Sequence, residues 1–160
     1  MTIEEKILNL KKNFESKGLT LSLAESCTGG LLAAEIVKHP GVSSFFAGAV
    51  VSYATHVKED LLDVPVHLLK TMGEVSGPVA IAMAQGAKQN MSSDWALSIT
   101  GVAGPGGESK DKPVGTVCFA VVGPGFEQSI KKEFKIKNRN EIQQASIEFA
   151  IDFVLESLKL

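Results

Sequence analysis

Leu19-Thr20-Leu21-Ser22-Leu23-Ala24-Glu25-Ser26-Cys27-Thr28-Gly29-Gly30-Leu31-Leu32 holds two different hydrophobic periods in one stretch. Leu19, Leu21 and Leu23 alternate with small or polar residues, the period of a strand. Leu31, Leu32, Ile36 and Val37 recur at helical spacing, so the turn between them joins strand to helix. Free main-chain amides at such a turn attract anions and oxyanions. A second small-residue turn, Thr100-Gly101-Val102-Ala103-Gly104-Pro105-Gly106-Gly107, follows another apolar run. Two such turns in one short chain predict a built pocket.

Outward from this stretch, Thr2 and Glu5 form a capping box, and Ile3, Ile7, Leu10 and Phe14 give a first helix ending near Gly18. A strand over 19–24 and a helix over 29–38 follow, the helix stopped by His39-Pro40-Gly41. Residues 45–53 read as a buried strand. Thr55 is placed to cap a short helix through Leu62, a further short helix runs from Pro65 to Met72, and Ser76 with Pro78 opens a long one to Asn90. Trp95 to Thr100 is a short strand. The runs 115–122 and 126–136, split by Gly123-Pro124-Gly125, predict an antiparallel hairpin, and a last helix spans about 140–158. Together these predict an α/β fold: a three-layer α/β/α sandwich with a mixed, mostly parallel sheet ending in an antiparallel hairpin, in one domain over 1–160.

The chain has 160 residues, 44% hydrophobic and 21% charged, with a formal net charge of -2. That balance gives nucleic-acid binding no electrostatic support. Cys27 and Cys118 lack metal-ligand spacing and fit a reducing compartment. No basic-then-apolar leader or long uncharged apolar run is visible, so the expected location is the cytoplasm, with no membrane partner. His39, His56 and His67 fall on different predicted elements, so no metal site is expected.

Ser26, between strand and helix, is the leading nucleophile candidate, with helix capping as the alternative role. A serine needs a base. Tyr53, His56 and Lys58 lie at the end of the next strand, and Lys58 is the best of them if burial lowers its pKa; a solvated surface lysine is the alternative. Tyr53, the only tyrosine, is placed to share a proton relay or simply to pack. His56 should point away from Lys58. Cys27 is read as a buried, inert thiol, with either it or Ser26 facing the pocket. The glycines of the second turn permit close approach of a ligand. Their spacing is neither a Walker nor a dinucleotide fingerprint. Arg139, the only arginine, is placed to clamp a phosphate or carboxylate. Glu25 is placed to bond the amides of the first turn, whereas Glu74 reads as a solvated loop residue.

Ala24-Glu25-Ser26-Cys27-Thr28-Gly29-Gly30, Tyr53 with Lys58, Gly73-Glu74-Val75-Ser76, the turn at 100–107 and Lys112-Pro113-Val114-Gly115-Thr116-Val117 resemble, in this order, the CinA C-terminal domain family. The likeness covers nearly the whole chain and is closest to the stand-alone form of the domain. It implies an amidohydrolase that deamidates nicotinamide mononucleotide without a cofactor, acting as a homodimer. It places the nucleophile at Ser26, the base at Lys58 and a supporting hydroxyl at Tyr53. Ligand contacts fall on Cys27, Thr28, Gly29, Gly30, Thr100, Gly101, Ala103, Gly104, Gly106 and Arg139. Some relatives are named for competence and DNA damage, so a non-catalytic nucleotide-binding module is the competing expectation. One departure stands out: the second arginine expected shortly after Arg139 is replaced by glutamine, within Gln143-Gln144, with Lys137 as a possible substitute.

Overall fold

A computed structural model describes residues 1–160. Its elements follow the hydrophobic periods closely. Helix α1 spans Ile3–Lys17, with both halves of the Thr2–Glu5 capping box formed and Gly18 closing it in the left-handed conformation. Strand β1 is Leu21–Glu25, helix α2 Leu31–Val37 and strand β2 Phe46–Val51. Three helices come next, α3 at Thr55–Leu62, α4 at Val66–Met72 and α5 at Gly77–Asn90. Strands β3 (Trp95–Gly101), β4 (Thr116–Gly123) and β5 (Phe126–Glu133) precede helix α6 (Arg139–Ser157).

The five strands form one sheet in the order β2-β1-β3-β4-β5. β1 pairs in parallel with both β2 and β3, while β3–β4 and β4–β5 are antiparallel. Only β4 therefore opposes the other four, and the sheet is mixed as expected.

Side-chain alternation sorts the strands onto two faces. Leu21, Leu23, Leu97, Ile99, Val117, Phe119 and Val121 join the larger core, which includes Phe14 of α1, Ile36 of α2 and Ile147 and Ile151 of α6. Ala24, Ala96, Cys118, Ala120 and Val122 form the opposite face, beneath Val79, Ala80, Met83 and Ala84 of α5. Those short side chains let α5 lie close to the sheet, and Ser98 reaches far enough to donate to the Ala80 carbonyl at 2.5 Å. The result is three layers, with α1, α2 and α6 on one side and α3 to α5 on the other.

Two expectations, the burial of β2 and the capping of α3, need correction. β2 is not buried: it pairs only with β1, and its outer edge leaves every residue half-buried or exposed. The aromatic pair beside it splits, with Phe45 fully buried against Phe14 at 5.5 Å and Phe46 only half-buried. Thr55 does not cap α3, whose cap position is Ala54; its hydroxyl donates to the Glu74 carboxylate at 2.6 Å instead.

Candidate active site

β1 and β3 are parallel neighbours, but the chain leaves β1 through α2 on one face and reaches β3 through α5 on the other. The two connections diverge at the carboxyl ends of these strands, which opens a crevice there. Both small-residue turns lie at that crevice. Ser26 is fixed by its own N–H, which donates to the Ile99 carbonyl at 2.9 Å and extends the β1–β3 ladder by one residue.

Lys58 enters from α3 with only 1% of its surface exposed. Its Nζ lies 3.0 Å from Ser26 Oγ and 2.7 Å from the Ser52 carbonyl, with the Tyr53 carbonyl at 3.5 Å and a Glu74 carboxylate oxygen also at 3.5 Å. Burial lowers the pKa of this amine below its ordinary 10.5, and the Glu74 carboxylate pulls in the opposite direction. A neutral amine has two N–H donors and one lone pair. With the Ser52 carbonyl and either the Tyr53 carbonyl or Glu74 taking the donors, the lone pair is left for the Ser26 hydroxyl.

The anion at the entrance of α2 is the protein's own. Glu25, fully buried, accepts from the Thr28 hydroxyl (2.6 Å) and from the amides of Gly30 (3.2 Å), Leu32 (3.2 Å) and Ala33 (2.8 Å). Those donors are closed to a ligand. The amides of Cys27 and Thr28, and of Ala103 and Gly104 across the crevice, have no acceptor within the protein.

The crevice encloses about 220 Å³ and is lined by Ser26, Cys27, Tyr53, Lys58, Glu74, Val75, Thr100, Gly101, Val102, Ala103, Gly104, Gly106, Gly107 and Arg139. Arg139, at the start of α6, donates to the Gly104 carbonyl at 2.6 Å and to the Tyr53 hydroxyl at 2.8 Å, so it ties the second turn to the end of β2. Gly101 and Gly104 are demanded by packing: a Cβ would sit 2.8 Å from Val117 Cγ2 at the first and 2.6 Å from Val114 Cγ1 at the second, where φ is also +77°. No group of three or more His, Cys, Asp or Glu side chains converges to hold a metal ion.

The profile of the CinA C-terminal domain matches residues 3–158. The chain belongs to that family. A CinA-like protein of Parasynechococcus marenigrum is 47% identical over 139 residues, covering 86% of this chain and 33% of that protein. Another, from Geotalea uraniireducens, is 46% identical over 145 residues, 91% of this chain and 34% of that protein. The chain thus spans about a third of the length of these curated CinA-like relatives. Among solved structures, the competence/damage inducible protein CihA of Agrobacterium tumefaciens superposes with a TM-score of 0.94 at 34% identity, covering 99% of this chain and 96% of that one. A competence-damaged protein (CinA) superfamily member from Klebsiella pneumoniae gives a TM-score of 0.95 at 28% identity and 99% coverage of both. No helix is long and apolar enough to cross a membrane.

Within this CinA fold, Ser26, Cys27, Tyr53, Lys58, Thr100, Gly101, Ala103, Gly104, Gly106 and Arg139 all line one crevice. Thr28, Gly29 and Gly30 do not, because the turn bends away from it to cradle Glu25. Ser26 and Cys27 both line it, yet they differ chemically: burial pushes the Cys27 thiol up to about 12, which keeps it protonated and unreactive. Tyr53 is 60% exposed, and its hydroxyl accepts from Arg139 at 2.8 Å, with no hydrogen bond to Ser26 or Lys58. His56 is exposed and outside the crevice. Lys137 lies outside it too, beside Pro105, Glu108, Pro113 and Val114. Gln143, where a second arginine was expected, donates from Nε2 to the Cys27 carbonyl at 2.9 Å.

Glu74, Val75, Val102 and Gly107 are additional lining residues. In the sequence Glu74 reads as a solvated loop residue, and its side chain is 43% exposed, yet it lines the crevice. Its position just before the Ser76 cap of α5 is visible in the sequence, but the direction of its side chain is set by Thr55 on another helix.

Proposed function

We propose that this chain hydrolyses the carboxamide of nicotinamide mononucleotide to the acid and ammonia, with Ser26 as nucleophile and Lys58 as base. The observation that carries this reading is the 3.0 Å approach of a buried lysine amine to a serine hydroxyl at a strand end. A lysine kept from water has no comparable reason to face a serine in a surface or purely structural role.

In this reading Ser26 Oγ attacks the carboxamide carbon as its proton passes to Lys58 Nζ, and the carbonyl π electrons move to the oxygen. The unpaired amides of Cys27 on one turn and of Ala103 and Gly104 on the other are the candidate donors to that oxyanion. Lys58 returns the proton to the departing nitrogen, the C–N bond breaks, and ammonia leaves an ester on Ser26. Water, deprotonated by the same amine, cleaves the ester to a carboxylate and restores the serine. The reaction as written needs neither metal nor cofactor. Thr100, Gly101, Gly106 and Arg139 complete the contacts, Arg139 keeping further guanidinium donors for the distal part of the substrate. At about 220 Å³ the crevice suits the reacting end of such a molecule, the remainder lying across its mouth.

The test is ammonia release from nicotinamide mononucleotide, nicotinamide riboside and nicotinamide side by side. Ser26→Ala and Lys58→Ala should each lower the rate on the mononucleotide by at least ~10³-fold with unchanged circular dichroism. Full activity in either variant refutes the assignment, and calorimetric binding without product would favour a nucleotide-binding module. The homodimer belongs to the same reading and is checked by sedimentation equilibrium.

A further inference from the structure

Glu74 has no part in the reaction just described, yet it is the only carboxylate lining the crevice. Its Oε1 stands 3.5 Å from Lys58 Nζ, and its side chain is 43% exposed, whereas that of Lys58 is 1% exposed. Two elements hold it there. The Thr55 hydroxyl at the start of α3 donates to the same Oε1 at 2.6 Å, and the Thr100 hydroxyl at the end of β3 donates to the Glu74 main-chain carbonyl at 3.0 Å. A loop carboxylate with no function at the site would not need to be fixed from both sides of the crevice.

We propose that Glu74 is a positioning residue for the Ser26–Lys58 pair, its carboxylate steadying the ammonium that forms on Lys58 when Ser26 gives up its proton. The inference rests on the amidase reading above and adds a member to it. The donor count explains the role. As a neutral amine Lys58 has two donors, and the Ser52 and Tyr53 carbonyls suffice for them. As an ammonium it has a third, directed at Ser26, and a full positive charge in a site with little water. The Ser52 and Tyr53 carbonyls offer that charge only dipoles, whereas Glu74 offers an opposite charge. Stabilisation is therefore greatest in the state that follows proton transfer, as required of a group that accelerates the step.

The same contact has a cost at rest, because it also favours the ammonium before reaction and so opposes the effect of burial. The other groups facing the amine are few. The Cys27 thiol on the turn after β1 is near but stays protonated, its pKa pushed up to about 12. Arg139 of α6 lines the crevice with its guanidinium engaged by Gly104 and Tyr53, and Glu25 is turned into the amides of α2. On α3 itself His56 is exposed and outside the crevice. No residue of α5 lines the crevice.

The experiment combines two readouts on Glu74→Gln: the pH profile of ammonia release, and the titration of Lys58 followed by NMR of ¹³Cε-labelled lysine in the substrate-free chain. The expected result has three parts. The Lys58 midpoint and the acid limb of kcat/KM both move down by about half to one pH unit, the size of a partly exposed charge pair. The plateau value of kcat falls about three- to tenfold. KM stays within about twofold. Glu74→Asp should restore part of the plateau, and Thr55→Val, which frees the carboxylate, should shift both curves the same way by less. An unmoved midpoint overturns the proposal. So does a higher KM with an unmoved acid limb, which would make Glu74 a substrate contact. If the unaltered chain releases no ammonia from any of the three amides, the amidase reading fails, and the NMR titration, which needs no substrate, decides the Glu74–Lys58 coupling by itself.

Discussion

Gln143 of α6 donates from Nε2 to the main-chain oxygen of Cys27 at 2.9 Å, so a helix near the end of the chain holds the turn that carries Ser26. A glutamine standing where a second arginine was expected is therefore tied to the scaffold of the crevice rather than lining it. Losing this bond frees the turn on its outer side. Gln143→Ala should cost about 1 kcal/mol in urea unfolding and lower kcat about tenfold, since small misplacements of a nucleophile are expensive. Gln143→Glu, whose carboxylate would face a carbonyl without a proton to donate, should be worse than alanine in both assays.

Arg139 bridges the Gly104 carbonyl and the Tyr53 hydroxyl, and neither bond reaches Ser26 or Lys58. Lysine in its place cannot span two acceptors with a planar fork. Arg139→Lys should raise KM about tenfold while kcat changes less than about threefold, and Tyr53→Phe should show the same pattern more weakly. A large fall in kcat for Tyr53→Phe, with a displaced pH profile, would instead put that hydroxyl in the proton path.

Lys58 burdens the fold it serves. Its pKa is lowered in the folded state from 10.5, so between the lowered value and 10.5 the unfolded chain binds a proton that the folded chain does not, and stability rises with pH across that window. Below the window both states are protonated and the folded one bears the full cost of burying charge. Lys58→Met should accordingly be more stable than the unaltered chain at neutral pH by about 1–2 kcal/mol, an advantage that fades as pH approaches 10.5. Thermal melts of both proteins across that range test the sign directly.

Cys27 and Cys118 are both buried, and burial raises both thiols, Cys27 to about 12. Iodoacetamide at neutral pH should leave the native protein unlabelled and its activity intact, while the denatured chain takes up two equivalents. Fast native labelling at Cys27 would show that the first turn opens in solution.

Much of the architecture was legible because its causes are local. The Thr2–Glu5 box, the Ser76 cap followed by Pro78 and the Gly123-Pro124-Gly125 turn each act within a few residues, and each appears where its chemistry puts it. β2 was misread for the opposite reason: an edge strand and a central one share the same Val- and Ala-rich composition, and only the number of paired neighbours tells them apart. Within the site, Ser26 was legible as a hydroxyl at a strand end, and Lys58 as a lysine in the segment after the next strand, on what the structure shows to be α3. Glu74 was not, because a carboxylate in a loop carries no mark of where its side chain turns.

The order of apolar periods and breaks in the sequence determined the elements, the mixed sheet and the two turns that reach one edge of it, since each depends on neighbours along the chain. Side-chain pairing was left to the tertiary structure. Whether the amides of α2 meet a ligand or Glu25, whether Tyr53 faces Lys58 or Arg139, and how near the Lys58 amine comes to Ser26 Oγ depend on groups up to 86 residues apart. Such distances follow from how closely α3, α5 and α6 pack on the sheet, a quantity that no stretch of the sequence holds by itself.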